Sequence, residues 1–219
     1  MKVSAVLFDF IGTTVIENIP NTIARCFEQT FKKFGMQMPT GFIEANRGKN
    51  KREVFLLATT LLEAESSRVA QMLKAFEINI EENLSNFSAA TDAVKTFRQL
   101  REKGIKIGIG TGLTRESFDQ IIFHLKWSKA DFEYTATAEE IGKGRPHPDM
   151  IFDMMRKLNI IDPKQILKVG DTVSDIQEGK NAGVWTAAIL SGAQSREGLL
   201  EARPDFVFNT LSDVIRVTE

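Results

Sequence analysis

The 219-residue sequence predicts an α/β fold: a doubly wound parallel sheet with helices on both faces and an inserted helical unit. Three observations carry that expectation. Short apolar runs of strand length recur along the chain, each followed by a turn and a helix-like pattern, which is how βαβ units read. The first run ends on a carboxylate, Asp9, and Gly12, Thr13 and Thr14 then turn the backbone. The alternation breaks once, between residues 15 and 87, where the sequence is almost entirely helix-like and rich in Glu, Lys, Leu, Ala and Phe.

Taken in order, the first strand is expected over residues 3–8. In the stretch that follows, Phe27, Phe31 and Phe34 recur at helical spacing and residues 64–84 repeat apolar positions in the same way. These side chains are expected to form the insert's own core rather than a substrate box. Gly35, Pro39, Gly41 and Gly48 punctuate the insert. An insert placed directly after the first strand is expected to act as a lid. The predicted division is therefore a core of residues 1–14 and 88–219 and a cap of residues 15–87. Beyond it, strands are expected at 105–109, 166–169 and 184–189, with helices at 89–103, 115–125, 148–158 and 174–182. A strand at 206–208 and a short helix at 211–217 close the sheet.

Composition narrows the class. Hydrophobic content of 42% and charged content of 26% are ordinary for a soluble globular chain. A net charge of −1 gives no electrostatic footprint for nucleic acid or an anionic membrane surface. No segment approaches the roughly 20 apolar residues of a membrane helix, and the first apolar run reads as a strand rather than a signal peptide. The lone cysteine, Cys26, excludes an internal disulfide and fits a reducing cytoplasm. The expectation is a cytoplasmic enzyme acting on a small molecule.

Four stations could carry phosphate chemistry. Asp9, at the carboxyl end of the first strand, is placed to attack phosphorus; alone it would read as a turn aspartate. Thr111 and Gly112 follow the second strand, where a hydroxyl and a backbone N–H can hold a phosphate oxygen; taken singly, Thr111 reads as a helix cap. Arg145 sits in a Gly- and Pro-rich loop ahead of a helix, placed to offset the repulsion between a phosphoryl group and a carboxylate. Lys143 beside it reads as exposed, and His147 as a helix cap or solvent-facing residue. Asp171 and Asp175, four residues apart after a strand and a tight turn, can converge with Asp9 on one Mg²⁺ ion, which takes few protein carboxylates.

In this order, these stations resemble the haloacid dehalogenase superfamily of aspartyl-nucleophile hydrolases. The resemblance spans nearly the whole chain. It implies a Rossmann-like core with a helical cap, Asp9 as nucleophile, and Thr111 and Arg145 as phosphoryl ligands. It also implies Mg²⁺ held by Asp9, the Ile11 carbonyl, Asp171 and Asp175. Within the superfamily the chain is most similar to the phosphonatase (phosphonoacetaldehyde hydrolase) branch. That likeness rests on Gly12 to Val15, Thr111 to Glu116, Arg145 where related phosphatases carry Lys, and Gly170 to Asp175 running on to Glu178 and Gly179. Phosphonatases lack the second aspartate of the first motif and carry Ala there; this chain has Ile11. Their cap holds a Gly-x-x-Lys whose lysine forms a Schiff base with the substrate aldehyde, and here Gly48 and Lys51 stand at that spacing.

The chemistry agrees with the likeness. Breaking a C–P bond expels a carbanion, and an imine on Lys51 can accept those electrons as an enamine, so no acid is needed at position 11. Arg47, Lys49 and Arg52 are expected to lower the Lys51 pKa by like-charge repulsion. Three departures from the phosphonatase pattern concern the substrate: Ile11 is bulkier than Ala, Val54 stands where phosphonatases have a proton-handling His, and the segment from Ile16 to Pro20 diverges. Three functions follow as expectations: C–P hydrolysis of phosphonoacetaldehyde or a related phosphonate, phosphomonoester hydrolysis by the same nucleophile, and a catalytically weak phospho-ligand binder. The resemblance also suggests a homodimer through the cap.

Overall fold

The computed structural model describes residues 2–192 and 194–218. Its strands are β1 (Ala5–Asp9), β2 (Val15–Glu17), β3 (Phe87–Ala89), β4 (Lys106–Thr111), β5 (Tyr134–Thr137), β6 (Ile166–Gly170), β7 (Trp185–Ile189) and β8 (Phe206–Phe208). Six of them form one parallel sheet in the order β5-β4-β1-β6-β7-β8. β1 lies in the middle, with β4 on one side and β6 on the other. The strand order reverses there, and an open α/β sheet has its ligand crevice at such a point, beyond the carboxyl ends of the strands.

Both faces of β1 are sealed. Val6 and Phe8 belong to a cluster with Phe97, Leu100, Phe118 and Ile121, while Ala5 and Leu7 belong to another with Met150, Ile151 and Met154. Each large side chain so buried contributes about 1.5–3 kcal/mol. A strand anchored this firmly fixes where its last residue, Asp9, presents its carboxylate.

The helices of the inserted stretch are α1 (Thr22–Lys33), α2 (Phe42–Ala45), α3 (Lys51–Leu61) and α4 (Val69–Glu82). Ile23, Phe27, Thr30 and Phe31 line the buried stripe of α1. The Phe27 ring lies 4.7 Å from Phe76 and 5.3 Å from Phe55, and Phe31 lies 5.6 Å from Phe55. Phe34 is half-buried at the edge of this aromatic core. The Asn79 amide donates to the Cys26 carbonyl (3.2 Å) and to Thr30 Oγ1 (3.0 Å), which ties α4 to α1. The remaining helices are α5 (Ala93–Glu102), α6 (Arg115–His124), α7 (Ala138–Ile141), α8 (Asp149–Leu158), α9 (Val173–Ala182), α10 (Arg196–Glu201) and α11 (Val214–Val217).

The structure departs from the sequence expectation in three places. The stretch from 15 to 87 is not helical at its ends: β2 and β3 pair antiparallel there as a two-stranded ribbon, Val15 opposite Ala89 and Glu17 opposite Phe87. That pairing holds residues 87–89 extended, so the helix expected from 89 begins at Ala93. β5, one of the sheet's two edge strands, has no run of large aliphatic residues. It is held by Tyr134, Ala136 and Thr137, all buried. α10, between β7 and β8, was not expected; Ser195 caps it, its side chain accepting from the Gly198 N–H.

Candidate active site

The site forms where β1, β4 and β6 end. Asp9 is buried, and Thr14 Oγ1 donates to its carbonyl (3.1 Å), fixing the turn behind it. Gly12 has φ of 94° and lies so close to the Asp171 carboxylate that a Cβ there would overlap it. Only glycine satisfies both demands at this position. Thr13 Oγ1 donates to Asp171 Oδ1 at 3.2 Å. The turn after β1 therefore fits around the carboxylate that follows β6.

Thr111 is the buried last residue of β4, and its Oγ1 accepts from the Leu113 N–H (3.1 Å). It is not the helix cap. Thr114 caps α6, accepting from the Ser117 N–H. Lys143 and His147 are exposed, whereas Arg145 between them is buried.

Arg145 reaches into a line of alternating charges. Its Nη1 lies 2.6 Å from Asp9 Oδ1 and also contacts Asp175 Oδ1. Lys168 Nζ lies 2.9 Å from that same Asp175 oxygen and 3.2 Å from Glu178 Oε2. The second Asp175 oxygen accepts from the Thr172 N–H (3.2 Å) and from Thr172 Oγ1, completing the capping box at the start of α9. Burial opposes the Asp175 charge, yet Arg145 and Lys168 outweigh it and hold its pKa at about 2. Burial pushes Asp9 upward, against the pull of Arg145, and the Asp175 charge adds to the rise.

Lys51 comes from the other side. Asn50 caps α3, accepting from the Arg52 N–H (2.9 Å), so Lys51 is the first helical residue. Its own N–H donates to the Gly112 carbonyl (3.2 Å), bringing the start of α3 onto the end of the sheet. Gly112 permits this approach, because a Cβ there would strike the carbonyls of Gly48 and Lys49. The Lys51 side chain is 5% exposed; its Nζ donates to the Lys49 carbonyl (3.0 Å) and lies 5.6 Å from the centre of the Phe27 ring. Its pKa is lowered to about 7, first by burial, then by the like charge of Arg145, with Asp9 pulling back and Arg47 adding a little. The expected cause was repulsion from neighbours in sequence; burial and Arg145, 94 positions further along the chain, matter more.

Asp9, Ile11, Gly48, Lys51, Thr111, Gly112, Arg145 and Asp171 all line one cavity of about 530 Å³, counting its mouth. The rest of its wall is largely apolar, including Ile23, Phe27 and Leu113. Asp175 is set back behind Arg145. Sequence reasoning missed Lys168, although a lysine inside the apolar run from Ile166 to Val169 was a visible signal.

Carboxylate oxygens of Asp9, Asp171 and Asp175 lie within 4.8 Å of one another, a donor set suited to a hard divalent cation. The charges fit as well. Asp9, Asp171, Asp175 and Glu178 face Arg145, Lys168 and Lys51, all buried, so carboxylates outnumber cations there and a divalent ion would offset the excess. Asp9 and Asp171 line the cavity, while Asp175 lies outside its lining with partners on both oxygens.

Comparison with known proteins agrees with this geometry. The family model described as haloacid dehalogenase-like hydrolase matches residues 6–189. The chain belongs to that family. It is thus a hydrolase built on the family's Rossmann-like sheet. Phosphonoacetaldehyde hydrolase from Bacillus cytotoxicus is 33% identical over 220 residues, covering 92% of this chain and 80% of that protein. The Bacillus cereus enzyme of the same name is 31% identical, with the same coverage. Among solved structures, a phosphonoacetaldehyde hydrolase-like protein from Oleispira antarctica superposes with a TM-score of 0.84 at 20% identity, covering all of this chain and 92% of that one. A predicted phosphoglycolate phosphatase from Haemophilus somnus gives 0.80 at 20% identity, covering all of this chain and 99% of that one. At such identities these two structures speak for the fold alone. Among the described residues, no helix is long and apolar enough to cross a membrane.

Proposed function

We propose that this haloacid dehalogenase-like hydrolase cleaves the C–P bond of phosphonoacetaldehyde or a related 2-oxo phosphonate. The observation that carries the reading is Lys51: a buried amine with a pKa of about 7, opening on the same cavity as Asp9. A second support is Ile11, an apolar side chain where an acid would otherwise serve a phosphatase.

In this reading the lowered pKa leaves a reactive share of the Lys51 amines neutral near pH 7. Nζ adds to the substrate carbonyl and loses water to give an imine. Asp9 then attacks phosphorus while Arg145 and Thr111 hold the phosphoryl oxygens. The C–P bond breaks, its electron pair passes into the imine as an enamine, and an aspartyl-phosphate forms. Protonation of the enamine carbon and hydrolysis of the imine release acetaldehyde, and water releases phosphate from Asp9. Mg²⁺, held by Asp9, Asp171 and the Ile11 carbonyl, with Asp175 in contact directly or through water, would offset charge on the phosphoryl group. Residues 15–87 act as the cap that brings Lys51 to the sheet and keeps water out.

Treatment with phosphonoacetaldehyde and borohydride tests the reading. A reduced adduct on Lys51 together with phosphate release is the expected result. No adduct, with turnover of a simple phosphate ester that stops in Asp9→Asn, would overturn it in favour of phosphomonoester hydrolysis, the activity named for the Haemophilus somnus neighbour.

A further inference from the structure

Beyond the residues that face the cavity, the structure buries a lysine and a glutamate with no evident part in the chemistry. Lys168 is 1% exposed and Glu178 fully buried, on β6 and α9. Although charge draws them together, neither Lys168 Nζ nor either Glu178 oxygen makes a well-angled hydrogen bond. A buried pair of this kind is often no better for stability than apolar side chains of equal volume.

We propose that Lys168, braced by Glu178, is a positioning residue that keeps the Arg145 guanidinium aimed at Asp9. Asp175 Oδ1 is shared by Arg145 and Lys168, while Asp175 itself is locked by the capping box with Thr172. Without Lys168, Arg145 is the only cation among the described residues left in contact with Asp175, and it must serve Asp9 as well. The fixed carboxylate of Asp175 then draws the guanidinium backward. Lys168 shares that neutralisation and leaves Arg145 directed at Asp9 Oδ1 and at whatever phosphoryl group arrives there. Glu178 holds Lys168 in that place from behind. The inference rests on Arg145 as the phosphoryl clamp of the proposed function and is independent of the leaving group.

The test is the pair Lys168→Met with Glu178→Leu, which removes both charges together and leaves none orphaned. Calorimetry in magnesium buffer with inorganic phosphate as ligand, and a crystal structure of the variant, supply the readouts. The double variant should melt at or above the wild-type temperature yet bind phosphate about tenfold more weakly, the size of one weakened charge-assisted hydrogen bond. Arg145 should be displaced from Asp9 towards Asp175. Unchanged phosphate affinity with Arg145 in place overturns the proposal. Should the double variant fail to fold, Glu178→Gln is the second probe: weaker phosphate binding at unchanged melting temperature supports the bracing role, and unchanged binding overturns it. If the wild-type protein itself binds no phosphate, the Asp9–Arg145 clamp falls first and this inference with it.

Discussion

Lys51 and Lys168 are the two buried lysines among the described residues, and their surroundings drive them in opposite directions. Lys51 stands on the helical unit beside a phenylalanine ring and faces the charge of Arg145; its pKa is lowered to about 7. Lys168 stands in the sheet between two carboxylates. Burial works to lower its pKa, but Asp175 and Glu178 outweigh that and raise it. The same side chain, equally hidden from water, is drawn towards its neutral form in one place and held as a fixed cation in the other. Burial alone does not decide the outcome; the nearest carboxylate does.

The comparison breaks most completely at Asp9, the proposed nucleophile of the reaction in which both lysines are given a part. Asp9→Asn should reduce phosphate release from any substrate by at least ~10³-fold, measured in a steady-state assay. Retained turnover would detach both lysines from a common reaction. Lys51→Met separates the two regions: phosphonoacetaldehyde cleavage should fall by a comparable factor, at least ~10³-fold, with no borohydride adduct left to detect. Hydrolysis of a phosphomonoester, which needs no imine, should survive within about threefold by the same reasoning. Equal loss on both substrates would make Lys51 a general binding residue.

Ile11→Asp sharpens the contrast from the sheet side. It supplies a general acid where none exists, and phosphomonoester turnover should rise by about 10²-fold. No rise would show that the apolar side chain is not what limits that reaction.

The smallest effect concerns stability. An unfolded Lys51 titrates near its ordinary value of 10.5, above the folded value of about 7, so between these the unfolded chain binds more protons. The penalty for burying the charged amine is complete below pH 7 and relieved as pH rises towards 10. Lys51→Met should therefore raise the melting temperature at pH 6 more than at pH 9. A pH-independent gain would mean that Lys51 is not titrating in this window.

Much of this was legible in the sequence because it rests on local pattern. Strand ends that deliver Asp9, Thr111 and Asp171 are marked by an apolar run followed by a turn. The cation loop around Arg145 is marked by Gly144 and Pro146. What was not legible depends on partners far apart in the chain. The β2–β3 ribbon joins residues about 70 positions apart and has only three residues a side. β5 is an edge strand without an aliphatic run. The Lys51 pKa depends chiefly on burial and on Arg145, and neither can be read from Arg47, Lys49 and Arg52 beside it. Lys168 was visible as an anomaly in an apolar run, but its meaning required knowing that Asp175 and Glu178 face it.

Opposite tuning of the two buried amines is the central claim. An NMR titration of the folded protein with ¹³C-labelled lysine Cε carbons measures it directly. One resonance, missing in Lys51→Met, should titrate near pH 7, while that of Lys168 should remain in its charged form through pH 10. A Lys51 resonance that titrates near 10 with the surface lysines would contradict the account.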